Sequence, residues 1–364
     1  MEFTQAPREL ILPIDKVPCR EDIIAVRLPK MFVLFLSEIP AVNVHYDSVK
    51  RESEMWMSSV CSLDEKARKI ISKTDFSFFC AITVPDASPT ELRTVFDWGN
   101  WVFPFDDKFD NGALKDDPVQ AQQLVDRLLA GMVDEAASIH EEDPLIQIHD
   151  SVWDRISKVA ASLCVCRRFA KYTRDYCRGA VEQVHSSSKG NYPSLDEMLK
   201  FRRQSAGVSP LFALVEYAHK LYIPDPVFQT RSIKEIERIG IDLVLLQNDI
   251  LSYCKEEKEG VTHNMVAICR RSGMPAQMAF DHVGEMLLTR YHDWYLALSE
   301  LPSWGEEIDA EVQQYIRGVQ NVVRANLHWS FRSGRYFGDA NEDVRKTGIV
   351  TVRPQAADIA LSVL

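Results

Sequence analysis

Asn248, Ser252 and Glu256 recur at i, i+4 and i+8 in the stretch 244–260. On an α-helix each step of four residues returns to nearly the same face, drifting by about 40°. The spacing therefore lines up an amide oxygen, a hydroxyl and a carboxylate along about two turns. Oxygen donors in a row suit a hard cation such as Mg²⁺, above all when phosphate oxygens and water complete its octahedron. Lys255 stands beside the row, where its ammonium can reach a metal-bound phosphate. A solvated polar face would give the same spacing. Just upstream, however, the stretch from Asp242 is apolar nearly all round, with Leu243, Val244, Leu245 and Leu246 in a row, the pattern of a helix buried in a core. Polar groups ending such a helix need partners, and a metal is one.

A second group lies well upstream. Asp106 and Asp110 share a helical face at i, i+4, and Asp107 is adjacent. Carboxylates this close repel one another. At the C-terminal end of a helix they also oppose the macrodipole, which favours cations there. An acidic, solvated helix end is the plainer reading; a divalent cation would turn the cost into a site.

These residues need elements to hold them. The sequence predicts helices over residues 46–57, 90–105, 119–139, 152–184, 195–222, 233–257, 263–272, 275–300 and 306–335, each with apolar residues at helical intervals. Ser62 to Glu65 reads as a capping box opening another helix. Residues 75–84 are strongly apolar and are assigned as a buried helix, because no partner strands with turn signals flank them. Residues 107–117 read as a loop with Asn111 and Gly112 as its turn, and Pro118 as a first helical residue. With no alternating strands and no fixed-length repeats, the expectation is an all-α, single-domain helical bundle with its ligand cavity between helices. Residues 1–45, with Pro7, Pro13, Pro18 and Pro29, read as an extended arm, residues 46–338 as the helical domain, and residues 339–364 as a tail or cap over the site.

Bulk properties narrow the partners. The 364 residues are 46% hydrophobic and 26% charged, enough for a sizeable core. A net charge of −11 argues against nucleic acid, and means that a polyanionic ligand would need metal ions or a few placed Arg and Lys to mediate. The eight cysteines form no CxxC pair and read as buried free thiols of a reducing compartment. No secretory signal pattern and no run of apolar residues long enough to span a bilayer is present, so a cytoplasmic protein is expected.

Taken together in order, these motifs resemble the class I terpene synthase family. Asp106, Asp107 and Asp110 match its aspartate-rich metal motif, and Asn248, Ser252 and Glu256 its second metal triad. Arg335 and Tyr336 look like its C-terminal Arg-Tyr pair, and Arg202 stands where it places a diphosphate-sensing arginine. Ser205 and Ala206 match its linker and effector positions, with Gly207 permitting a helix break. The resemblance covers roughly residues 46–338, closest to fungal or bacterial single-domain sesquiterpene cyclases. One departure is the stretch Ile39 to Tyr46, which lacks the Trp-Pro-rich lead of fungal members.

The resemblance implies three Mg²⁺ ions, with Mn²⁺ able to substitute, bridging the metal residues to a prenyl diphosphate, most naturally farnesyl diphosphate. Arg202, Lys255, Arg335 and Tyr336 would neutralise the remaining diphosphate charge. Phe79, Phe103 and Trp329 would line an aromatic cavity that stabilises the cation, Trp329 sharing a helical face with Tyr336 seven residues on. Core packing is the competing account of each aromatic. Two other functions stay open: a chain-elongating prenyltransferase, disfavoured because Asn248 and Ser252 replace a second aspartate-rich motif, and an inactive helical diphosphate-binding scaffold.

Overall fold

A computed structural model describes residues 23–110, 112–133, 143–158, 163–188 and 193–361. Three short helices, α1 (Tyr46–Val60), α2 (Glu65–Thr74) and α3 (Phe76–Thr83), lead into the long α4 (Pro89–Asp110). There follow α5 (Pro118–Ala130), α6 (Pro144–Ser157), α7 (Leu163–Ser188), α8 (Leu195–Ser205), α9 (Val208–Ala218) and the one-turn α10 (Asp225–Phe228). The second half is built from α11 (Arg231–Glu259), α12 (Met265–Arg271), α13 (Ala276–Ser299) and α14 (Glu306–Ser330), then the short α15 (Asn341–Thr347) and α16 (Ala356–Leu361). The architecture is the expected all-α bundle: α11 packs on α13 and α14, α14 on α3 and α9, α7 on α8 and α9, and α4 on α1, α3 and α6. Among the described residues no helix is long and apolar enough to cross a membrane, and every cysteine is a free thiol.

Local chemistry sets the boundaries. Asp117 and Asp143 cap α5 and α6 by accepting from Gln120 N and Leu145 N, each with proline at the first helical position. Ser194 and Glu197 close a capping box on α8. Residues 76–83 are helical as expected, and almost all are buried, so apolar residues all round mark a core helix. Pro104 sits inside α4 and removes one backbone donor, yet the helix runs on through Asp110.

Several boundaries differ from the sequence reading. The loop assigned from Asp107 begins only after Asp110, so all three aspartates ride on the last turns of α4. The cap of α2 is Asp64, which accepts from Ala67 N, rather than Ser62. The run over 195–222 is two helices, parted at Gly207, whose φ of +65° is open to glycine at little cost. The run over 152–184 likewise divides into α6 and α7, and residues 134–139 of the run from Val119 lie outside the described residues. The most consequential change is at α14. It stops at Ser330, where Arg332 N and Ser333 N both turn back onto Trp329 O at 2.9 and 2.7 Å, so Arg335 and Tyr336 lie on a turn and not on a helix.

A strand from the arm meets a strand from the tail. β1 (Ile24–Arg27), in the arm, pairs antiparallel with β2 (Ile349–Val352), in the tail, with Ile24 opposite Val352. Residues 1–22 of the arm and 362–364 of the tail lie outside the described residues. The tail is further anchored by Arg270, whose guanidinium donates to Arg353 O and Asp358 Oδ2, both at 2.7 Å.

Candidate active site

The acidic end of α4 and the polar row on α11 line the same cavity, which encloses about 1170 Å³ counting its open mouth. Asp106, Asp107 and Asp110 line it from α4 and Asn248, Lys255 and Glu256 from α11, and Arg202, Arg335 and Tyr336 line it as well. Ser252, the middle member of the α11 row, is fully buried behind the cavity surface. The helical period aligns each row on its own helix, and the packing of the bundle brings the two rows to one cavity.

The polar groups hold one another in a closed set. Arg335 Nη2 donates to Asp107 Oδ1 at 2.9 Å, and its guanidinium lies 4.3 Å from the centre of the Phe103 ring. Arg202 Nη2 donates to Asp249 Oδ1 at 2.8 Å and to Asn248 Oδ1 at 3.4 Å. The Tyr336 hydroxyl accepts from Asn248 Nδ2 at 2.7 Å. Lys255 Nζ pairs with Glu259 at 2.6 Å. On the acidic side, the Tyr176 hydroxyl donates to Asp106 and Gln183 Nε2 donates to Asp110 Oδ1 at 2.7 Å.

Electrostatics mark the site as short of positive charge. Burial, then the neighbouring Asp110, pushes the Asp106 carboxyl well above its usual range, and burial raises Asp110 as well. Burial and the nearby Asp249 push Glu256 up to about 7. Burial alone would lower Arg202, but Asp249, Glu256 and Asp110 around it hold it firmly charged. His263 at the rim is pushed down to about 4 by burial and by Arg202 and Arg271, so it is neutral near pH 7.

The donor set fits a hard divalent cation. All six donors offer oxygen, and the raised carboxyls are those a cation would bring back down. Ser252 Oγ helps to hold Glu256 down, yet makes no well-formed hydrogen bond in its buried position, leaving an oxygen that a metal would satisfy. Among the described residues no three His, Cys, Asp or Glu side chains already converge on one point. The two rows face each other across the mouth rather than forming a finished cage.

Below the polar mouth the wall is aromatic. Phe103 and Trp329 stack with centroids 5.3 Å apart, and Phe79 meets Trp329 edge-on at 6.3 Å. Phe76 sits between them, 4.4 Å from Phe79 and 5.2 Å from Trp329. Trp329 Nε1 donates to Thr74 O at 2.7 Å, which locks the indole. The expected neighbourhood of Trp329 and Tyr336 is real, with rings 5.6 Å apart, but the turn after Ser330 makes it, not a shared helical face. Ser205, Ala206 and Gly207 line the cavity at the break between α8 and α9, and α8 is fastened to α11 by Arg203, which grips Asp242 through two bonds of 2.6 and 2.8 Å.

Sequence reasoning missed the residues that hold the motif residues. Asp249 binds Arg202 and also accepts from Met265 N at 2.8 Å; its signal was its place next to Asn248 in the α11 motif, where no role was assigned to it. Asn264 caps α12 and donates to Glu256 Oε2 at 2.9 Å; an Asn before an apolar run marks the cap but not the second bond. Tyr176 and Gln183 on α7, and Phe76 and Trp98 in the aromatic wall, carried no motif at all.

Comparison with known proteins agrees with this geometry. Residues 97–293 match the family model described as terpene synthase family 2, C-terminal metal binding. The chain is 40% identical over 329 residues to silphinene synthase of Penicillium patulum, covering 88% of each chain. It is 36% identical to (+)-eremophilene synthase of Gibberella fujikuroi, covering 86% of this chain and 88% of that one. Among solved structures, that of α-eudesmol synthase superposes with a TM-score of 0.75 at 21% identity, over 84% of this chain and 100% of that chain, a likeness of fold.

Proposed function

The chain belongs to the terpene synthases, and from that premise we propose that it ionises farnesyl diphosphate and cyclises it to a sesquiterpene hydrocarbon or alcohol, releasing diphosphate. The observation that carries the proposal is the pairing of two oxygen-rich helical rows, on α4 and α11, across the mouth of one aromatic-walled cavity. Silphinene and eremophilene synthases are the relatives from which the cyclase reading is carried over.

Asp106, Asp107, Asp110, Asn248, Ser252 and Glu256 would hold the divalent cations, Mg²⁺ in our reading. Those ions, when bound, supply Lewis-acid charge to the departing diphosphate. The chain's own cations do the rest of the electrostatic work. Arg202 and Arg335 line the same cavity as the metal rows, the first held by Asp249 on α11 and the second by Asp107 on α4, so their charge is preorganised before substrate arrives. Lys255 and the Tyr336 hydroxyl stand at the same mouth to take phosphate oxygens. The diphosphate end is thereby fixed at the mouth and the hydrocarbon directed inward.

Inside, the wall offers π faces and almost no hydroxyl. Phe79, Phe103 and Trp329 present rings whose faces attract a cation by up to about 2 kcal/mol each when desolvated. The Trp329 N–H is spent on Thr74 O, so the indole does not present a donor to the cavity. An allylic cation held there is shielded from water until ring closure ends.

The test is incubation of the purified protein with farnesyl diphosphate, with and without Mg²⁺, and gas chromatography–mass spectrometry of the organic extract. A Mg²⁺-dependent sesquiterpene is expected. Consumption of isopentenyl diphosphate would instead establish chain elongation, and silence with geranyl, farnesyl and geranylgeranyl diphosphates alike would sink the proposal.

A further inference from the structure

One face of α7 touches both halves of the site. Tyr176, Gly179 and Gln183 follow at i, i+3 and i+7, so they point the same way. Through Tyr176 and Gln183 the face engages Asp106 and Asp110, two of the three aspartates on α4. Through Tyr176 and Gly179 it also abuts the junction of α8 and α9. A Cβ added to Gly179 would stand 2.8 Å from the backbone of Gln204 and Ser205, and one added to Gly207 would stand 3.3 Å from the Tyr176 ring. The far side of that ring is closed by Phe105 and Trp101, with centroids at 5.6 and 6.5 Å, and Tyr176 is 1% exposed.

A phenol is one rigid plane. Its hydroxyl sits on Asp106 and its ring edge on Gly207, so the first cannot shift without the second. The close packing leaves no slack to absorb the motion. Resting on the functional reading above, we propose that Tyr176 and Gln183 are positioning residues for the cation-binding aspartates, and that Tyr176 couples Asp106 to the α8–α9 break that shapes the cavity wall. Gln183 shares the first task and not the second, because it reaches Asp110, whereas a Cβ on Gly207 meets first the ring of Tyr176.

The coupling is reciprocal, as any coupling of two binding equilibria must be. Anything that moves the break should therefore alter cation affinity, although the break carries no metal donor. That sets the experiment apart from a purely structural role for Tyr176.

The experiment titrates Mn²⁺ into the full chain in the presence of inorganic diphosphate, following free Mn²⁺ by its electron paramagnetic resonance signal. This readout does not depend on turnover, so it stands even if the substrate proposal fails. Tyr176→Phe keeps the ring and loses a bond to a carboxylate, and should weaken Mn²⁺ binding about tenfold. Gln183→Ala, at the partly exposed rim, should weaken it by about threefold to tenfold. Gly207→Ala should weaken it as well, and Arg178→Ala on the exposed face of α7 should not. Hydrogen exchange on the metal-free protein should show faster exchange around residues 205–208 in Tyr176→Phe and not in Gln183→Ala. Unchanged Mn²⁺ affinity in both Tyr176→Phe and Gln183→Ala overturns the positioning role. Should Tyr176→Phe not fold, Gln183→Ala decides positioning and Gly207→Ala decides coupling. Wild-type affinity in Gly207→Ala overturns the coupling.

Discussion

Asp242 has no exposed surface, and four hydrogen bonds from three guanidiniums converge on it. Arg203 takes both oxygens, Arg238 donates to Oδ2 at 2.8 Å and Arg290 at 2.7 Å. Asp242→Asn keeps the shape, removes the charge and replaces one acceptor oxygen by a donor. Breaking a buried ion pair from one side costs about 3–5 kcal/mol. Two features reduce that here. The guanidiniums are themselves 17–28% exposed, and Arg238 and Arg290 keep Glu235 and Asp293 as second partners. A loss of about 2–4 kcal/mol remains. Among the described residues Arg203 forms its ion pair with Asp242 alone, so the loosened element is α8, which carries Arg202 toward the mouth. Urea unfolding should report the stability loss, and kcat/KM with farnesyl diphosphate should fall by about tenfold through misplacement of Arg202. A loss below about 1 kcal/mol, with kcat/KM at the wild-type value, would refute the idea that this ionic hub sets α8 against α11.

Asp106→Asn should reduce Mg²⁺-dependent turnover by about 10²–10³-fold or more while the melting temperature stays level or rises, because repulsion from Asp110 is relieved; full turnover would remove Asp106 from the metal set. Trp329→Ala removes a fully buried ring and should cost about 3–5 kcal/mol, and the surviving enzyme should give altered products or acyclic alcohols by gas chromatography–mass spectrometry; an unchanged profile would make Trp329 plain core. Burial and Arg345 push His328 down to about 4, below its unfolded value near 6.5, so the unfolded chain binds the extra proton and stability falls as pH drops from 6.5 toward 4. The acid sensitivity of urea unfolding between pH 7 and pH 4.5 should be about 2 kcal/mol larger in wild type than in His328→Gln, and equal sensitivity would contradict the assignment. Gly318→Ala places a Cβ 2.1 Å from Val215 and should destabilise by about 1–3 kcal/mol through overpacking of α14 on α9, with the product profile of the surviving enzyme unchanged.

What could be seen in the sequence was what a single helix dictates. Asn248, Ser252 and Glu256 fall on one face because the helical period is fixed, and the same holds for Asp106 and Asp110. Gly207 marked a break because its positive φ is a backbone property. Contacts between helices left no such trace: nothing in the sequence around Tyr176 or Gln183 says that α7 will face the end of α4. The end of α14 was hidden for a different reason. Residues 331–335 hold a stop signal in Ser333 and Gly334 that the apolar periodicity alone passes over, and the stop at Ser330 is fixed by backbone bonds onto Trp329 O and by Asn341, whose amide donates to the carbonyls of Arg332 and Ser333. Two four-residue strands offer too little alternation to stand out, and β1 and β2 specify each other only once the bundle has brought them together.

That pairing has a consequence for how the protein is made. Ile24 is among the first described residues to leave the ribosome and Val352 among the last. β1 must therefore wait, unpaired, while every helix between the two strands is made, and the sheet forms only after β2 has cleared the exit tunnel. Closing so long a loop is entropically acceptable once the helices between have folded, because they hold the two ends close. The sheet is then a seal applied after assembly. A nascent chain stalled short of residue 349 would carry an open strand edge beside a finished bundle, the kind of edge that invites pairing with another chain.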